Sequence, residues 1–462
     1  MHVLAGLVRP DAGELALGGD SVDVARWSPR AALRAGVAMV HQHSALVPAM
    51  TVPENLFFGG PRTGAIFRPA RERSRAEALA RRFGLEVPLG ARVDTLSVGQ
   101  RQRAEILRAL DRGARVLILD EPTAALTPGE TVALFPALRR LAEAGRAVIF
   151  ISHKLAEIEG LADRVSVLRR GRLEGTVSAR ETTGAELGKM MLGRDLPPLV
   201  RATRPRVEAS DAAFALRGLE APGVREASRL RGLDLELAFG EIVGVAGIDG
   251  NGQRELEEVL IGVRRPTAGR ILVAGRAVAP GVRSLRAAGV AHLSGERERG
   301  GLVPGMTITE NLALKGSYDD RRFFRGGLWR RSAALATALE SVRRFGIEPP
   351  DPARDVGTLS GGNAQKVAVA RELGSGARVL IPCNPTRGLD VGSARFVHEQ
   401  VLALRAAGGA VLLISTELDE VLGLSDRAVA LVRGRFVALP QGADAAAIGA
   451  VLLGGANCEA AA

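Results

Sequence analysis

Two adjacent carboxylates, Asp120 and Glu121, follow directly after the apolar run Val116–Leu119 and precede Pro122. A short unbroken apolar run is typical of a buried strand in a parallel sheet. Open α/β sheets bind ligands at the carboxyl ends of their strands. We therefore expect Asp120 to hold Mg²⁺ and Glu121 to orient and polarise an attacking water, which suits phosphoryl transfer. Taken alone, Asp-Glu-Pro is more often a helix N-cap, so this assignment depends on the neighbouring motifs.

The run returns once, at Arg378–Asp390, where Cys383 replaces Asp120 and Asn384 replaces Glu121. Other blocks repeat at nearly constant offsets: Leu4–Gly13 with Leu260–Gly269, Leu46–Leu56 with Leu302–Leu312, and Leu96 with Leu359. The first two offsets are 256 residues and the third is 263, which predicts an insertion near Ser317–Arg331. Repetition at this spacing indicates duplication of one domain.

The repeat predicts a first domain at residues 1–196, a linker rich in Pro and Arg at 197–213, and a second domain at 214–462. Glu257 is the counterpart of Met1, so the second copy has about 43 residues before that point that the first copy does not match. We therefore expect the first domain to begin inside the fold, without its first strands.

The segment before Glu257 contains the frame of a phosphate loop. The predicted strand Glu241–Ala246 leads into Gly247, Gly250, Asn251 and Gly252, and a helix follows. In the pattern G-x-x-x-x-G-K-[ST], backbone N–H groups and the helix N-terminus cradle phosphates. Here Gln253 stands at the Lys position and Arg254 at the Mg²⁺-binding hydroxyl position. The glycine turn is therefore kept, but both functional side chains of the pattern are gone.

A second repeated motif opens a helix 24 residues before each acid position. In the first copy, Ser97 is a natural N-cap and Gly99 allows a close approach of the backbone, with Val98 and Gln100 completing the turn. The second copy has Ser360, Gly361, Gly362 and Asn363. A capped helix is the plain interpretation. The functional one is an anion site, since helix N-termini attract phosphate.

Two further polar residues follow predicted strands. Gln42 comes after Val37–Val40 and is a candidate Mg²⁺ ligand, although a glutamine in a loop is usually only solvated. His153 comes after Val148–Ser152 and is a candidate to stabilise developing phosphate charge, although a single histidine at a strand end is usually structural. The second copy has Gly295 or Glu296 at the first position and Thr416 at the second.

Composition limits the partners. The net charge is +11, but the basic residues are almost all Arg and are scattered, and aromatics are 3% of the chain. These features argue against a nucleic-acid platform and favour a solvated basic surface. Two cysteines provide no disulfide framework, no apolar run is long enough to span a membrane, and no signal peptide is evident. Any role at a membrane must therefore come through partner subunits.

Together these motifs resemble the ATP-binding subunits of ABC transporters, over essentially the whole chain. LSVGQ resembles the signature motif, VLILDEP resembles Walker B with its catalytic Glu, and Gln42 and His153 resemble the Q-loop and switch residues. Two domains in one chain resemble the importer group for simple sugars and nucleosides. The resemblance implies an α/β fold of two tandem P-loop NTPase domains, each with a RecA-like core, a helical subdomain and an antiparallel β subdomain.

The resemblance also implies cofactors and partners. ATP and Mg²⁺ would be bound, and the family architecture places each nucleotide between the Walker motifs of one domain and the signature of the other. One site would combine Asp120, Glu121, His153 and Gln42 with the turn Ser360–Asn363. The other, which we expect to be degenerate, would combine the loop Gly247–Gln253, Cys383, Asn384 and Thr416 with the turn Ser97–Gln100. Two membrane permeases, reached through Leu46–Leu56, and an extracytoplasmic binding lipoprotein would be the partners, and the chain would lie on the cytoplasmic face of the membrane.

The departure from the family that matters most is the absent first Walker A, which should lie only a few residues before Met1. We therefore expect little ATP hydrolysis by the chain as it stands, with a misassigned start or a truncated chain as the main explanation. Two alternatives to an importer subunit remain open at this stage. One is a soluble tandem ABC ATPase acting on ribosomes or DNA, and the other is a nonfunctional truncated fragment.

Overall fold

The computed structural model of the chain describes residues 1–41, 44–57, 67–123, 126, 128–152, 154–169, 171–193, 212–248, 250–295, 301–317, 323–325, 328–374, 376–440 and 444–454. The chain divides into two compact units, Met1–Leu196 (unit 1) and Pro197–Ala462 (unit 2). Most of the predicted linker lies outside the described residues, as do Gln42 and His153. Among the described residues, no helix combines the length and apolar character needed to cross a bilayer.

Unit 1 is centred on a three-stranded parallel sheet in the order β3-β4-β5. The described elements of this unit are β1 (Leu15–Leu17), β2 (Asp20–Val22), α1 (Pro29–Arg34), β3 (Val37–Val40), α2 (Val52–Phe57), α3 (Pro69–Phe83), α4 (Val98–Asp111), β4 (Val116–Asp120), α5 (Pro128–Glu143), β5 (Ala147–Ile151), α6 (Leu155–Leu161), β6 (Arg164–Arg169), β7 (Arg172–Ser178) and α7 (Gly184–Leu192).

Burial explains why β4 is the central strand of that sheet. Leu117, Ile118 and Leu119 are each at most 1% exposed, and burial of such a side chain stabilises the fold by about 2 kcal/mol. β4 lies between β3 and β5 and runs parallel to both, so it has a neighbouring strand on either side. The helices α2, α3 and α4 share one apolar core with the sheet, to which α4 contributes Ile106 and Leu107. The predicted buried strand and the helix that follows Ser97 are both present.

Unit 2 repeats this design on a six-stranded sheet in the order β13-β16-β17-β10-β18-β19, antiparallel only between β18 and β19. Its described elements are β8 (Phe214–Ala221), β9 (Leu230–Leu237), β10 (Ile242–Gly247), α8 (Gln253–Leu260), β11 (Ala268–Val273), β12 (Arg276–Val278), α9 (Val282–Ala287), β13 (Val290–Ser294), α10 (Ile308–Leu314), β14 (Phe324–Arg325), β15 (Leu328–Trp329), α11 (Arg331–Phe345), α12 (Gly361–Gly374), β16 (Val379–Cys383), α13 (Val391–Ala406), β17 (Ala410–Ser415), α14 (Leu418–Leu424), β18 (Arg427–Val432), β19 (Arg435–Ala438) and α15 (Ala445–Gly454).

A separate antiparallel sheet, in the order β12-β11-β8-β9, completes unit 2. The small hairpin of β14 and β15 lies within the interval where the sequence predicts an insertion. The parallel strands β13, β16, β17 and β10 end at one edge of the large sheet, because parallel neighbours in register place their carboxyl ends together. That edge, and the corresponding edge of the smaller sheet in unit 1, carries most of the residues singled out above.

Candidate functional site

The carboxylates of unit 1 lie at the carboxyl end of β4. Asp120 is the last residue of the strand and pairs with Ile151 of β5. Glu121 follows with φ of 43°, and its amide donates to the Ile151 carbonyl at 3.0 Å. A left-handed backbone is costly for a residue with a Cβ and is found where the surrounding structure imposes it. Both residues are half-buried at the open edge of the sheet, so their carboxylates are accessible to a ligand.

Unit 2 has the same backbone without the acids. Asn384 has φ of 44°, and its amide donates to the Ile414 carbonyl at 2.7 Å, as Glu121 does to its own neighbour. Cys383, at the position of Asp120, is 2% exposed. Burial, reinforced by the charge of Glu257, raises the pKa of the Cys383 thiol well above its usual range. The fold therefore builds the same turn twice, and only unit 1 has carboxylates on it.

The side chains at the unit 2 turn bond to each other. The Asn384 Oδ1 atom accepts from the Thr416 amide at 2.8 Å and from the Thr416 hydroxyl at 3.1 Å. Strand register makes Gly295 the counterpart of Gln42, since Val37 pairs with Val116 and Val290 with Val379. A Cβ at Gly295 would lie 2.4 Å from the Asn384 carbonyl oxygen, so no glutamine fits there. Among its described residues, this turn therefore has neither a carboxylate nor a counterpart of Gln42.

A buried glutamate in unit 1 holds the segments on either side of the candidate site, and sequence reasoning missed it. Glu157 is 7% exposed and accepts from the Thr123 hydroxyl at 2.6 Å and from the Ser152 hydroxyl at 2.7 Å. Thr123 lies two residues after Glu121, and Ser152 directly precedes His153. Glu157 therefore fixes the distance between the two segments that bear the predicted catalytic residues.

Unit 2 contains the same bridge. Glu420 is 5% exposed and accepts from the Thr386 hydroxyl at 2.8 Å and the Ser415 hydroxyl at 2.6 Å, and His398 adds a third bond at 2.9 Å. The signal that could have found both residues is the repeated pattern I-S-x-x-L-x-E, which begins at Ile151 in unit 1. In sequence, such a glutamate looks like an ordinary first-turn helix acid.

The signature turn of unit 1 has the predicted cap. The Ser97 hydroxyl accepts from the Gln100 amide at 3.2 Å, and the Gln100 side chain accepts from the Ser97 amide at 3.0 Å. The same hydroxyl donates to Glu130 of α5 at 2.8 Å. A Cβ on Gly99 would lie 2.6 Å from the Glu130 Oε1 atom, which explains the glycine. Val98 is exposed beside it, so the turn is open to solvent.

The turn in unit 2 makes the same approach more tightly. Gly361 begins α12, and the Ser360 hydroxyl accepts from the Asn363 side chain at 3.1 Å. A Cβ on Gly362 would lie 2.0 Å from the Ser393 Oγ atom at the start of α13. In both units, therefore, the glycine two residues after the serine of the turn, Gly99 or Gly362, lets the start of the signature helix contact the start of the next helix.

The glycine loop between β10 and α8 has the predicted shape. Gly250 and Gly252 have φ of 97° and 109°, which an L side chain rarely adopts. Gln253 is 8% exposed and folds back over Gly247, where an added Cβ would lie 2.2 Å from the Gln253 Nε2 atom. Among the described residues, the amide nitrogen and oxygen of Gln253 have no hydrogen-bond partner. The cradle is therefore present, with a neutral amide in place of the lysine.

The next residue does not restore the missing charge. Arg254 lies on the outer side of α8 with a highly exposed side chain, where its Nε atom donates to Glu258 at 2.9 Å. The glycine loop is also hydrogen-bonded to the turn between β18 and β19, because the Asn251 carbonyl accepts from the Gly434 amide at 2.9 Å. Of the predicted degenerate-site residues that the structure describes, none carries a charge aimed into the loop.

The two units differ in their fit to Mg²⁺. This ion prefers hard oxygen ligands and retains several waters, so a half-buried carboxylate such as Asp120 at an open strand end suits it. Cys383 is a buried sulfur donor and does not. Gln42, the other predicted Mg²⁺ ligand, lies outside the described residues.

Two repeated valines are presented at the surface by buried asparagines. The Asn55 side chain accepts from the Val47 amide at 2.7 Å, and Asn311 accepts from the Val303 amide at 2.8 Å. Both asparagines also donate to carbonyls of the same loop, which rigidifies it. Val47 is 47% exposed and Val303 is 38% exposed.

Comparison with known proteins finds one family. The family model described as "ABC transporter" matches residues 1–124 and 230–387. The glucose import ATP-binding protein TsgD13 of Haloferax volcanii is 38% identical, over 100% of this chain and 89% of its own. The guanosine import ATP-binding protein NupO of Bacillus subtilis is 37% identical over 100% and 90%. The ribose import ATP-binding protein RbsA 1 of Rubrobacter xylanophilus is 41% identical over 94% and 85%.

Solved structures share the tandem architecture. The RNase-L inhibitor has a TM-score of 0.60 at 21% identity, over 95% of this chain and 82% of its own. The archaeal ribosome recycling factor aABCE1, in complex with the stalk protein aP1, has a TM-score of 0.59 at 22% identity, over 93% and 79%. At such identities the likeness shows the fold alone. With the family match, it confirms the predicted fold of two tandem α/β domains.

Proposed function

This chain belongs to the ABC transporter family, and on that premise we propose that it is the ATP-binding subunit that energises import of a simple sugar or nucleoside. The family match and the identity to import ATP-binding proteins confirm, at the level of the family, the resemblance that the motifs predict. The relatives are named for import of glucose, ribose and guanosine, which supports the proposed range of cargo.

Hydrolysis belongs to unit 1 in this proposal. The observation that carries it is the matched pair of left-handed turns, with a carboxylate at Glu121 and an amide at Asn384. Glu121 accepts a proton from the attacking water, and Asp120 holds Mg²⁺. Mg²⁺, when bound, neutralises charge that develops on the transferred phosphoryl group. We assign His153 to stabilise that same charge and Gln42 to complete the metal ligands.

In this proposal unit 2 holds nucleotide at most weakly and does not turn it over. The glycine loop from Gly247 to Gly252 offers backbone N–H groups to phosphate, while Gln253 supplies no charge. The signature turns, Ser97–Gln100 and Ser360–Asn363, contribute further N–H donors at helix starts. The domains keep the proposed limits, 1–196 and 214–462, with the linker 197–213 between them.

The proposed partners are two membrane permeases and an extracytoplasmic binding lipoprotein, with this chain peripheral on the cytoplasmic face. The rigid loops that expose Val47 and Val303 support permease contact, because each presents an apolar residue at a corresponding place. No nucleic acid is proposed as a partner.

The test uses the chain joined to an upstream strand and Lys-bearing phosphate loop and co-expressed with its permeases. It compares two matched variants of that protein, Glu121→Gln and Asn384→Ala. We expect Glu121→Gln to lower the rate of phosphate release by about 10²-fold or more, because a general base contributes 10²–10⁴-fold. Asn384→Ala should leave the rate within about twofold of the original. Phosphate release and cargo uptake are measured in the same vesicles. Equal loss in both variants would contradict the assignment of hydrolysis to unit 1.

A further inference from the structure

Three potential metal ligands from different elements of unit 2 converge in space. Glu257 lies on α8, His292 on β13 and Cys383 at the end of β16. The ligand atoms of the three side chains all lie within 4.8 Å of one another. His292 Nε2 and Glu257 Oε1 are 2.7 Å apart. Residues 35 and 126 positions from Glu257 along the chain are thus brought to one point by the sheet.

The donor set is that of a borderline-soft metal. Zn²⁺ binds thiolate sulfur, imidazole nitrogen and carboxylate oxygen, and sites with three protein ligands keep a fourth position for water. Mg²⁺ and Ca²⁺ prefer oxygen ligands only. We propose that Glu257, His292 and Cys383 form a Zn²⁺ site in unit 2. This proposal is independent of the transport function and goes beyond it.

The spacing of the three atoms suits such an ion. Tetrahedral Zn²⁺ with bonds of 2.0–2.3 Å places its ligand atoms about 3.3–3.6 Å apart. The His292 Nε2 and Glu257 Oε1 atoms, at 2.7 Å, are closer than that, and the three ligand atoms all lie within 4.8 Å of one another. The His292 and Glu257 side chains are 14% and 24% exposed, so both have room to separate, while Cys383 is fixed in the core. The exposed side of the cluster leaves access for the ion and a water.

The cluster is particular to unit 2. By strand register, Met39 stands at the place of His292, and Asp120 stands at the place of Cys383. The change from a hard carboxylate to a soft sulfur at the end of the central strand therefore accompanies the appearance of a histidine on the adjacent strand. These two differences, Asp120 to Cys383 and Met39 to His292, are consistent with a change of metal from Mg²⁺ to Zn²⁺ between the two units.

Co²⁺ provides the probe, because cobalt thiolates have a charge-transfer band in the near ultraviolet. Tag-free, full-length chain is titrated with Co²⁺ and then displaced by Zn²⁺. We expect one equivalent, with a thiolate band that Cys383→Ser removes. The matched control is Cys458→Ser, because the chain has only these two cysteines. Absence of the band in the unmodified chain, or its loss in Cys458→Ser instead, would overturn the proposal.

A second variant keeps the test decisive if Cys383→Ser does not fold. His292→Gln should weaken Zn²⁺ binding by at least about tenfold, since even outer-shell changes cost 10–100-fold. At a fixed Zn²⁺ concentration it should also reduce the rise in thermal midpoint that Zn²⁺ produces in the unmodified chain. His2→Gln, at an exposed position, is the control and should retain both. Equal affinities in the two variants would show that Glu257 and His292 form a hydrogen-bonded pair only.

Discussion

The buried glutamates Glu157 and Glu420 allow structural and catalytic roles to be separated at the level of single residues. Each accepts hydroxyl hydrogen bonds from two loops. Removal of either carboxylate leaves buried hydroxyls without their partner, which costs about 3 kcal/mol of unfolding free energy. We expect Glu157→Ala and Glu420→Ala to lose similar stability in denaturant titrations. Only Glu157→Ala should also lower the rate of hydrolysis, because only unit 1 has the carboxylate at Glu121.

The conservative variant Glu157→Gln provides the control. A glutamine keeps one acceptor oxygen, so part of the stability and part of the rate should return. We expect Glu157→Ala to lower kcat and leave KM unchanged. Glu157 positions the segments that bear Glu121 and His153 and does not itself bind substrate. If Glu420→Ala slowed hydrolysis as much as Glu157→Ala at a temperature where both remain folded, the glutamates would act through stability alone.

Which single residues could be anticipated depends on where their partners lie. The loss of acid at Cys383 and Asn384 follows from the repeat, because the comparison is between two aligned positions. Glu157 was missed because its partner Thr123 lies 34 residues away and is brought to it only by the fold. The meeting of Cys383 with Glu257 was missed for the same reason.

Among the elements, the signature helices predict different costs for the same substitution. Gly99→Ala places a Cβ 2.6 Å from Glu130 Oε1, the far end of a flexible side chain that can swing aside. The lost bond to Ser97 costs about 1 kcal/mol, and alanine regains up to about 1 kcal/mol in helix propensity. We therefore expect Gly99→Ala to be nearly neutral in unfolding free energy.

Gly362→Ala should be costly by comparison. Its Cβ would lie 2.0 Å from Ser393 Oγ and 2.8 Å from Ser393 Cβ, which the backbone of α13 fixes. The two helix starts must then separate, and overpacking of this kind costs about 1–3 kcal/mol. Denaturant titration measures both variants, and a Ser393→Gly background should remove most of the penalty. Equal losses for Gly99→Ala and Gly362→Ala would contradict this account.

The elements themselves were largely predictable, since their signals are local. The predicted strand Val37–Val40 has the bounds of β3, and the predicted Val148–Ser152 differs from β5 by one residue at each end. Ser97 begins α4 with the capping bonds that its sequence indicates. Strand order was not predictable in the same way, because the place of β10 between β17 and β18 depends on pairing between distant segments.

For the whole molecule, charge is the property that separates an importer subunit from a protein acting on nucleic acid. The formal net charge is +11, which alone would favour binding to RNA or DNA. Many arginines, however, are engaged within the described fold, as Arg75 is with Asp111 and Arg405 with Asp426. Among the described residues, the charges of such arginines are neutralised by neighbouring carboxylates.

We therefore expect only non-specific binding to RNA, with a Kd of about 10⁻⁴–10⁻⁶ M at physiological salt. That binding should weaken steeply between about 50 and 200 mM salt, because it comes from counterion release alone. Filter binding over a salt series measures it, with a variant in which four exposed arginines become glutamine as the control for scattered charge. Binding at nanomolar concentration that persists at about 200 mM salt would require a specific site and would favour ribosomes or DNA over import. Retention by the permeases at that same salt concentration is the opposite result, because an apolar contact through Val47 and Val303 is not screened by ions.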